Sequence, residues 1–402
     1  MGENAREGWR TGLMAMLLCI VGPFAADCYI PSLPAITKAF SSTANQMQFT
    51  MSLYFLGAAF SQLVYGPLSD RYGRRVMVLI GLGICTLGSF LCILSTSAGM
   101  LIGARFLKGF GAGACNVLFR AILRDTYQGT RLAQIGSYIG IIFPVTFAIA
   151  PIIGGYVESA WGWRENFLVV TLILFLTTLV IKHYLPETNQ HLDHTATTWK
   201  SMYRNYRALL THKKFMGYTL LSSVTFAGMI CYYSTAPFLL QDIVGLTPVQ
   251  FGWLSVFLSI GIIASQFLNS RLVMKYGIAV MIKAGIIIAL LSGLIMLLFA
   301  LYHIINTPVI VIPAVIFCFA SGFIFSNAMA GAFEFFGHMA GITGALYGFL
   351  QMMGGVIPSM LLSGVILQNQ LPLSIIFTGI GFAAMIIFYF LLYRNENSSH
   401  GQ

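Results

Sequence analysis

Charge is scarce in this 402-residue chain. Lys and Arg number 22 and Asp and Glu 12, together 8% of the residues, against about 25% in an ordinary soluble domain. With 57% hydrophobic residues, a water-soluble globule of this composition would expose large apolar patches and aggregate. That excludes a cytosolic enzyme, a nucleic-acid binder, a disordered chain and a small secreted scaffold. Cysteine pairing is also missing. Cys19, Cys28, Cys85, Cys92, Cys115, Cys231 and Cys318 stand singly in apolar runs, without zinc or redox spacing, and read as small buried hydrophobes. No Gly-Lys phosphate loop points to ATP. No nucleophile, base and orienting group cluster as an enzyme needs. His191 and His194 lack a third ligand, so no metal site is expected. The polar stretch Met1 to Arg10 leads into an apolar run too long for a cleavable signal, so that run is expected to stay as the first span.

What is present is apolar length. A helix crossing the ~30 Å hydrocarbon core needs roughly 20 apolar residues. Residues 284–333 and 335–393 contain no Asp, Glu, Lys or Arg and are long enough to fold back once each. Strand-like alternation is absent, which argues against a barrel. Twelve spans are expected, at about 10–31, 47–68, 76–96, 99–121, 132–156, 165–184, 215–237, 249–269, 278–302, 309–330, 342–366 and 373–393. Of the 22 basic residues, 18 fall on one side of this scheme, Lys38 and Arg164 on the other, and Arg105 and Lys108 within span four. The positive-inside rule then places both termini in the cytoplasm.

The longest inside connection divides the chain. The expected organisation is a six-helix bundle over 1–184, a cytoplasmic linker over 185–214, and a second six-helix bundle with a short tail over 215–402. In the linker, Trp199, Met202, Tyr203, Tyr206, Leu209 and Leu210 share one helical face, opposite Lys200, Arg204 and Arg207. This reads as a basic amphipathic helix on the inner leaflet. The halves repeat weakly. Leu68, Arg71, Tyr72 and Gly73 recur as Leu272, Lys275, Tyr276 and Gly277, an offset of 204. Two repeats around a central site is a transporter architecture.

Three motifs carry chemistry. The turn after span two reads Gly66-Pro67-Leu68-Ser69-Asp70-Arg71-Tyr72-Gly73-Arg74-Arg75. Gly66 permits close helix approach, Gly73 a tight turn, and Asp70 can bind the Arg side chains and a facing helix N-terminus. Span four carries Arg105 and Lys108 ahead of glycines 109, 111 and 113. Intramembrane charges are costly and usually functional, whereas the glycines by themselves also suit plain helix packing. Asp27, the one clear acid within a span, is expected roughly 6–10 Å below the outer surface. Arg105 is expected at the same depth, where an ion pair or a shared water network would fit. Snorkelling to the interface suits Lys108 but not the short Asp27. Glu334 is equally an interfacial acid or, with His338, part of a proton path.

These motifs resemble the major facilitator superfamily, and Gly-x-Leu-x-Asp-Arg-x-Gly-Arg-Arg carries the likeness at the correct loop. The segments Asp27 to Pro34, Arg120 to Asp125, Trp161 to Arg164, Tyr233 to Phe238 and Ala340 to Ala345 are similar to the bicyclomycin-resistance (Bcr/CflA) branch of drug:proton antiporters. The resemblance implies an all-α polytopic protein of the major facilitator fold, a monomer in the bacterial inner membrane. It implies a small-molecule substrate, usually a drug, exported against protons, with the proton gradient as energy source and no cofactor, metal or nucleic acid. Gly66, Asp70, Arg71, Gly73, Arg74 and Arg75 would form the inside gate. Asp27 and Arg105 would couple protons. Phe24, Asp27, Lys108, Asn116, Tyr138, Tyr232 and Tyr233 would line the cavity. The helix-five antiporter motif departs from its pattern, keeping Pro151, Gly154 and Gly155 but holding Ser137, Thr146 and Ala150 where glycines are expected. That leaves a nutrient or metabolite carrier as the alternative. A non-transporting sensor is a third class, which would usually carry a soluble output domain. Counting Arg105 and Lys108 against Asp27 favours a neutral, zwitterionic or anionic substrate over a lipophilic cation.

Overall fold

The computed structural model describes residues 3–189, 192, 199–336, 340–365 and 367–393. Every regular element among them is helical. The chain begins with α1 (Glu3–Asp27), a 3-10 turn (Ile30–Ser32) and α2 (Leu33–Ala39), followed by α3 (Ala44–Tyr72), α4 (Arg74–Ile93), α5 (Ala98–Thr126), α6 (Gly129–Ala160) and α7 (Trp163–Tyr184). Then come α8 (Trp199–Thr211), α9 (Lys213–Pro237), α10 (Pro248–Leu301), α11 (Thr307–Glu334), α12 (Ala340–Leu362) and α13 (Leu371–Ile387). Both α9 and α13 end in a π-helical turn, Phe238–Ile243 and Phe388–Tyr393.

Ten of these segments are long and apolar enough to cross a membrane. The twelve-span pattern follows from two physical details. The 54-residue α10 turns at Gly277, φ 79°, and so comprises spans eight and nine. Span two, α3, is 29 residues long but less apolar, because its buried face carries Gln48, Thr50, Ser52, Ser61 and Gln62. Of these, Ser52 and Gln62 meet the second half of the chain. Ser52 donates to Ser359 Oγ at 2.9 Å, and Gln62 Nε2 lies 3.0 Å from Met352 Sδ.

The sequence repeat has a backbone counterpart. Gly73 has φ 96° and ψ 151° between spans two and three, and Gly277 has φ 79° and ψ 165° between spans eight and nine. A positive φ there is open to glycine at little steric cost, which is why glycine stands at both ends of the 204-residue offset. The first turn is tighter than the sequence suggests. Gly66 to Tyr72 belong to α3 itself, and Gly73 alone separates it from α4. Other helix starts are set by side-chain caps. Thr43, Ser97 and Asn306 accept from the backbone N–H three residues on, and Thr247 with Gln250 forms a reciprocal pair of bonds.

Span four is the packing axis of the first half, set against spans one, two and three. Its glycines make this possible. A Cβ on Gly109 would fall into the backbone of Tyr54 on span two, 2.7 Å from the carbonyl carbon. Gly111 packs as closely on Cys85 of span three. In the second half, span seven packs against spans ten and eleven, and α10 against span five across the halves. The linker helix is present as α8, with Leu209 buried and Tyr203 and Leu210 exposed.

Overpacking a close helix contact costs about 1–3 kcal/mol. Gly109→Ala should therefore lower the thermal unfolding midpoint of the purified protein. Gly103→Ala on the same helix, with nothing within 4 Å of the added carbon, should leave it unchanged.

Candidate functional site

Span one does not end at Asp27. The 3-10 turn and α2 carry it on to Ala39, so Asp27 sits deeper than its expected place near the outer end. It is 1% exposed, and its Oδ2 has no hydrogen-bond partner among the described residues. Arg105 is wholly buried. The ion pairs among the described residues are Lys38–Asp242, Arg74–Asp70 and Arg74–Asp125, so of the two expected arrangements, an ion pair or a shared water network, the direct pair between Asp27 and Arg105 does not form. Arg105 instead donates to the carbonyls of Ala25 and Ala26 at 3.4 and 3.3 Å. Its guanidinium lies between two rings, 3.9 Å from the centroid of Tyr29 and 4.4 Å from that of Tyr54. Ring faces attract a desolvated cation strongly, and the two carbonyls meet part of its hydrogen-bonding capacity. The Tyr29 hydroxyl shares a hydrogen bond with Thr50 and that of Tyr54 donates to the Gly22 carbonyl, which fixes both rings.

Lys108 neither lines an opening nor reaches the interface. It is fully buried in the first half, its Nζ without a hydrogen-bond partner and 5.1 Å from the Phe167 ring of span six. Gly88 of span three packs on its backbone. Phe24, Tyr232 and Tyr233 are buried. Tyr233 stacks on Phe147 of span five, centroids 6.1 Å apart, joining the two halves at mid-depth. Asn116 is half-buried against Gly22. Tyr138 lies outside this group, 44% exposed and bonded to Gln134. The cavity-facing stripe of span five runs through Gly136, Ile139, Gly140 and Phe143, and Tyr138 is off that helical face. Glu334 is exposed at the end of α11, while His191, His194 and His338 lie outside the described residues.

A cavity of about 990 Å³ opens between the halves at the ends of spans two, four, five, eight, ten and eleven, with Asp70, Arg74, Arg120 and Arg124 on its wall. The opposite end is shut. Lys38 pairs with Asp242 at 3.2 Å, Gln241 donates to the Pro31 carbonyl at 3.0 Å, and Trp253 donates to the Tyr156 hydroxyl. The span-five residues named from the sequence lie in this closure. Gly155 rests on the backbone of Pro248, Gly252 on that of Pro151, and Gly154 on the Cys28 carbonyl of span one. Access is therefore from the face that carries the Gly66–Arg75 segment.

At that face Arg74 is the hub. It pairs with Asp70 at 2.6 Å and with Asp125 of span four at 3.0 Å, and donates to Ser69 Oγ. Glu187 accepts from the backbone N–H groups of Arg74 and Arg75, capping α4, and Arg75 donates to the Lys182 carbonyl. Arg71 stacks on Tyr72. The cluster joins spans two, three and four of the first half to the linker. Gly66 approaches span eleven, facing Ala345. The sequence reading singled out neither Asp125 nor Glu187 as a partner of Arg74. The signal for Asp125 was its place as an acid at the inner end of span four, level with the arginines after span two.

Residues 15–359 match the Major Facilitator Superfamily. The chain belongs to that superfamily. It is 30% identical to a bicyclomycin resistance protein homolog of Haemophilus influenzae, over 95% of this chain and 96% of that one. It is 29% identical to multidrug resistance protein D of Escherichia coli, over 97% of each. These relatives set it in the bicyclomycin-resistance branch. The fold matches the xylose transporter XylE from E. coli in a partially occluded inward open conformation, TM-score 0.75, 14% identical, over 96% of this chain and 98% of that one. The chain is a multi-pass membrane transporter of the major facilitator fold.

Arg74→Gln removes the one cation that two carboxylates share. Each loses a charge-assisted bond, so the change should cost about 1–3 kcal/mol of stability, read as a lower unfolding midpoint. Arg71→Gln should have a smaller effect, within about 0.5 kcal/mol as for a surface site.

Proposed function

We propose that this transporter exports amphipathic small molecules, drugs among them, across the bacterial inner membrane in exchange for protons. The observation that carries the reading is the pairing of a cavity open on the basic face with a sealed carboxylate, Asp27, that has no direct counter-ion among the described residues. The basic face is the cytoplasmic one by the positive-inside rule, which puts both termini in the cytoplasm and makes this an inward-open state. Cargo enters from the cytoplasm or inner leaflet. The halves, 1–184 and 215–402, then rock as a monomer in the bilayer about contacts such as Tyr233 on Phe147. The energy comes from the proton gradient, without a cofactor. The relatives named for bicyclomycin and multidrug resistance support a drug-like cargo.

Proton coupling follows from the cost of charge in an apolar interior. A bare carboxylate moved through it is expensive, and a protonated one is cheap. Asp27 can therefore change sides only in one protonation state, and cargo and proton compete for the same conformational step. Arg105, fixed by its two tyrosines, sets the field at Asp27 through space. The Asp70–Arg74–Asp125 cluster is the inner gate in its released form. On closure Asp70 swings toward the start of span eleven, where a helix N-terminus attracts a carboxylate.

In inverted membrane vesicles, Asp27→Asn should reduce gradient-driven uptake of bicyclomycin or a phenicol at least tenfold while the protein stays folded. A well-expressed Asn variant that pumps at the normal rate would sink the coupling role. Asp70→Asn should shift the molecule further toward the inward-open state. Cysteines placed on either side of the cavity should show a higher inside-to-outside labelling ratio; an unchanged ratio counts against the gate.

A further inference from the structure

The cations on the open cavity are not those that the sequence pointed to. Arg105 and Lys108 are sealed away from it. Arg120 and Arg124, four residues apart on span four, stand on its wall and are exposed to its water. Neither makes an ion pair or hydrogen bond with any described residue. Both acids in reach, Asp70 and Asp125, are taken up by Arg74. Counting Asp70, Asp125, Arg74, Arg120 and Arg124, the group carries a net positive charge of one, and the two free guanidiniums sit together at its edge.

Like charges at i and i+4 repel one another. The wall facing them adds to the repulsion. It is the first turn of α12, where a Cβ on Gly341 would lie 3.7 Å from Arg124 Nη2, and a helix N-terminus carries a partial positive charge. Three positive features thus converge across a gap, and among the described residues no further anion balances them. The wall also carries apolar side chains, Ile139, Phe143, Ile263 and Phe267, beside polar Gln266 and Asn269.

We infer that the cavity holds a binding subsite for an organic anion, with the acid group of the cargo seated between Arg120, Arg124 and the start of span eleven and its apolar body against Phe143 and Phe267. This rests on the transport reading and narrows its substrate class to amphipathic acids and zwitterions. Guanidinium forks suit the planar carboxylate. The subsite also ties cargo to movement. When the halves close, water leaves the cavity and Asp70 moves to the same helix start, so the group's remaining net positive charge would be trapped in a low dielectric. An anion brought in with the cargo removes that penalty, so closure favours the loaded protein over the empty one.

The test uses the purified full-length protein in phosphatidylcholine nanodiscs with a matched pair of fluorescent probes. Dansylglycine carries the carboxylate, and dansylglycinamide is its neutral twin. Wild type should bind the acid about tenfold more tightly than the amide, and added KCl should weaken the acid alone. Arg120→Gln should abolish the preference with amide affinity intact, and Arg120→Lys should keep part of it. Intact amide binding certifies the fold, and Arg124→Gln serves in its place if Arg120→Gln does not fold. A wild type without preference, or a preference that survives Arg120→Gln or its Arg124→Gln stand-in, overturns the inference. A preference that persists in a protein showing no proton-driven export would overturn the transport reading and leave the anion subsite standing.

Discussion

The close approach of span four to its neighbours is the constraint on which the first half depends. Glycines at 109 and 111 bring its backbone against spans two and three, leaving no room for lipid or water between them. Only in that sealed setting does it make sense to carry Arg105 and Lys108 without counter-ions. A guanidinium in hydrocarbon would be ruinous; held by two ring faces and two carbonyls it is tolerable. The same helix continues toward the basic face, where the packing loosens into the cavity, and there its cations are hydrated. One helix thus carries two kinds of charge, divided by the depth at which close packing stops. The dry pair organises the region of Asp27, and the wet pair meets whatever enters.

Closure on the far side obeys the same rule by other means. Gly155 and Gly252 let spans five and eight touch backbone to backbone around Pro151 and Pro248. This contact survives although Ser137, Thr146 and Ala150 replace glycines upstream. The residues retained in span five are those that meet span eight or span one. The degraded part of the motif is therefore the part whose loss the closed end can bear.

Much of this was legible in the sequence, because lipid punishes error at the level of whole helices. The twelve spans, the segment Gly66 to Arg75, the weak repeat at Gly73 and Gly277 and the amphipathic linker helix all follow from length, charge placement and glycine. What was not legible depends on where a helix stops and which way it faces. Asp27 was placed too near the surface because Pro31 and Pro34 read as the end of a span. In the fold they start a 3-10 turn and a further helix that carry the span on to Ala39. Lys108 was read as a cavity or interface cation, but three residues from Arg105 it turns instead toward Phe167. Tyr138 is one residue off the stripe of span five that faces the opening. Arg120 and Arg124 were counted as loop charges by the positive-inside tally, although their i, i+4 spacing on a span already carrying cations was the signal that they share a face.

The two halves divide the work unequally, and the division follows from the same shortage of charge. Spans one to six hold the sealed acid, both sealed cations, the Arg74 cluster and the free arginines. Within the expected ranges of spans seven to twelve the one charge is Lys283, near the inner end of span nine beside the Phe388 and Tyr393 rings. These spans meet the first half with neutral groups, such as Ser359 to Ser52, and brace themselves with Asn327 to Asn269 and Gln351 to Ser222. Neutral hydrogen bonds re-form cheaply as surfaces slide, whereas each buried charge must keep its partners or move into water. On the proposed reading, proton and cargo binding act on the half that holds the buried charges, and the half whose contacts are neutral shifts against it at little electrostatic cost.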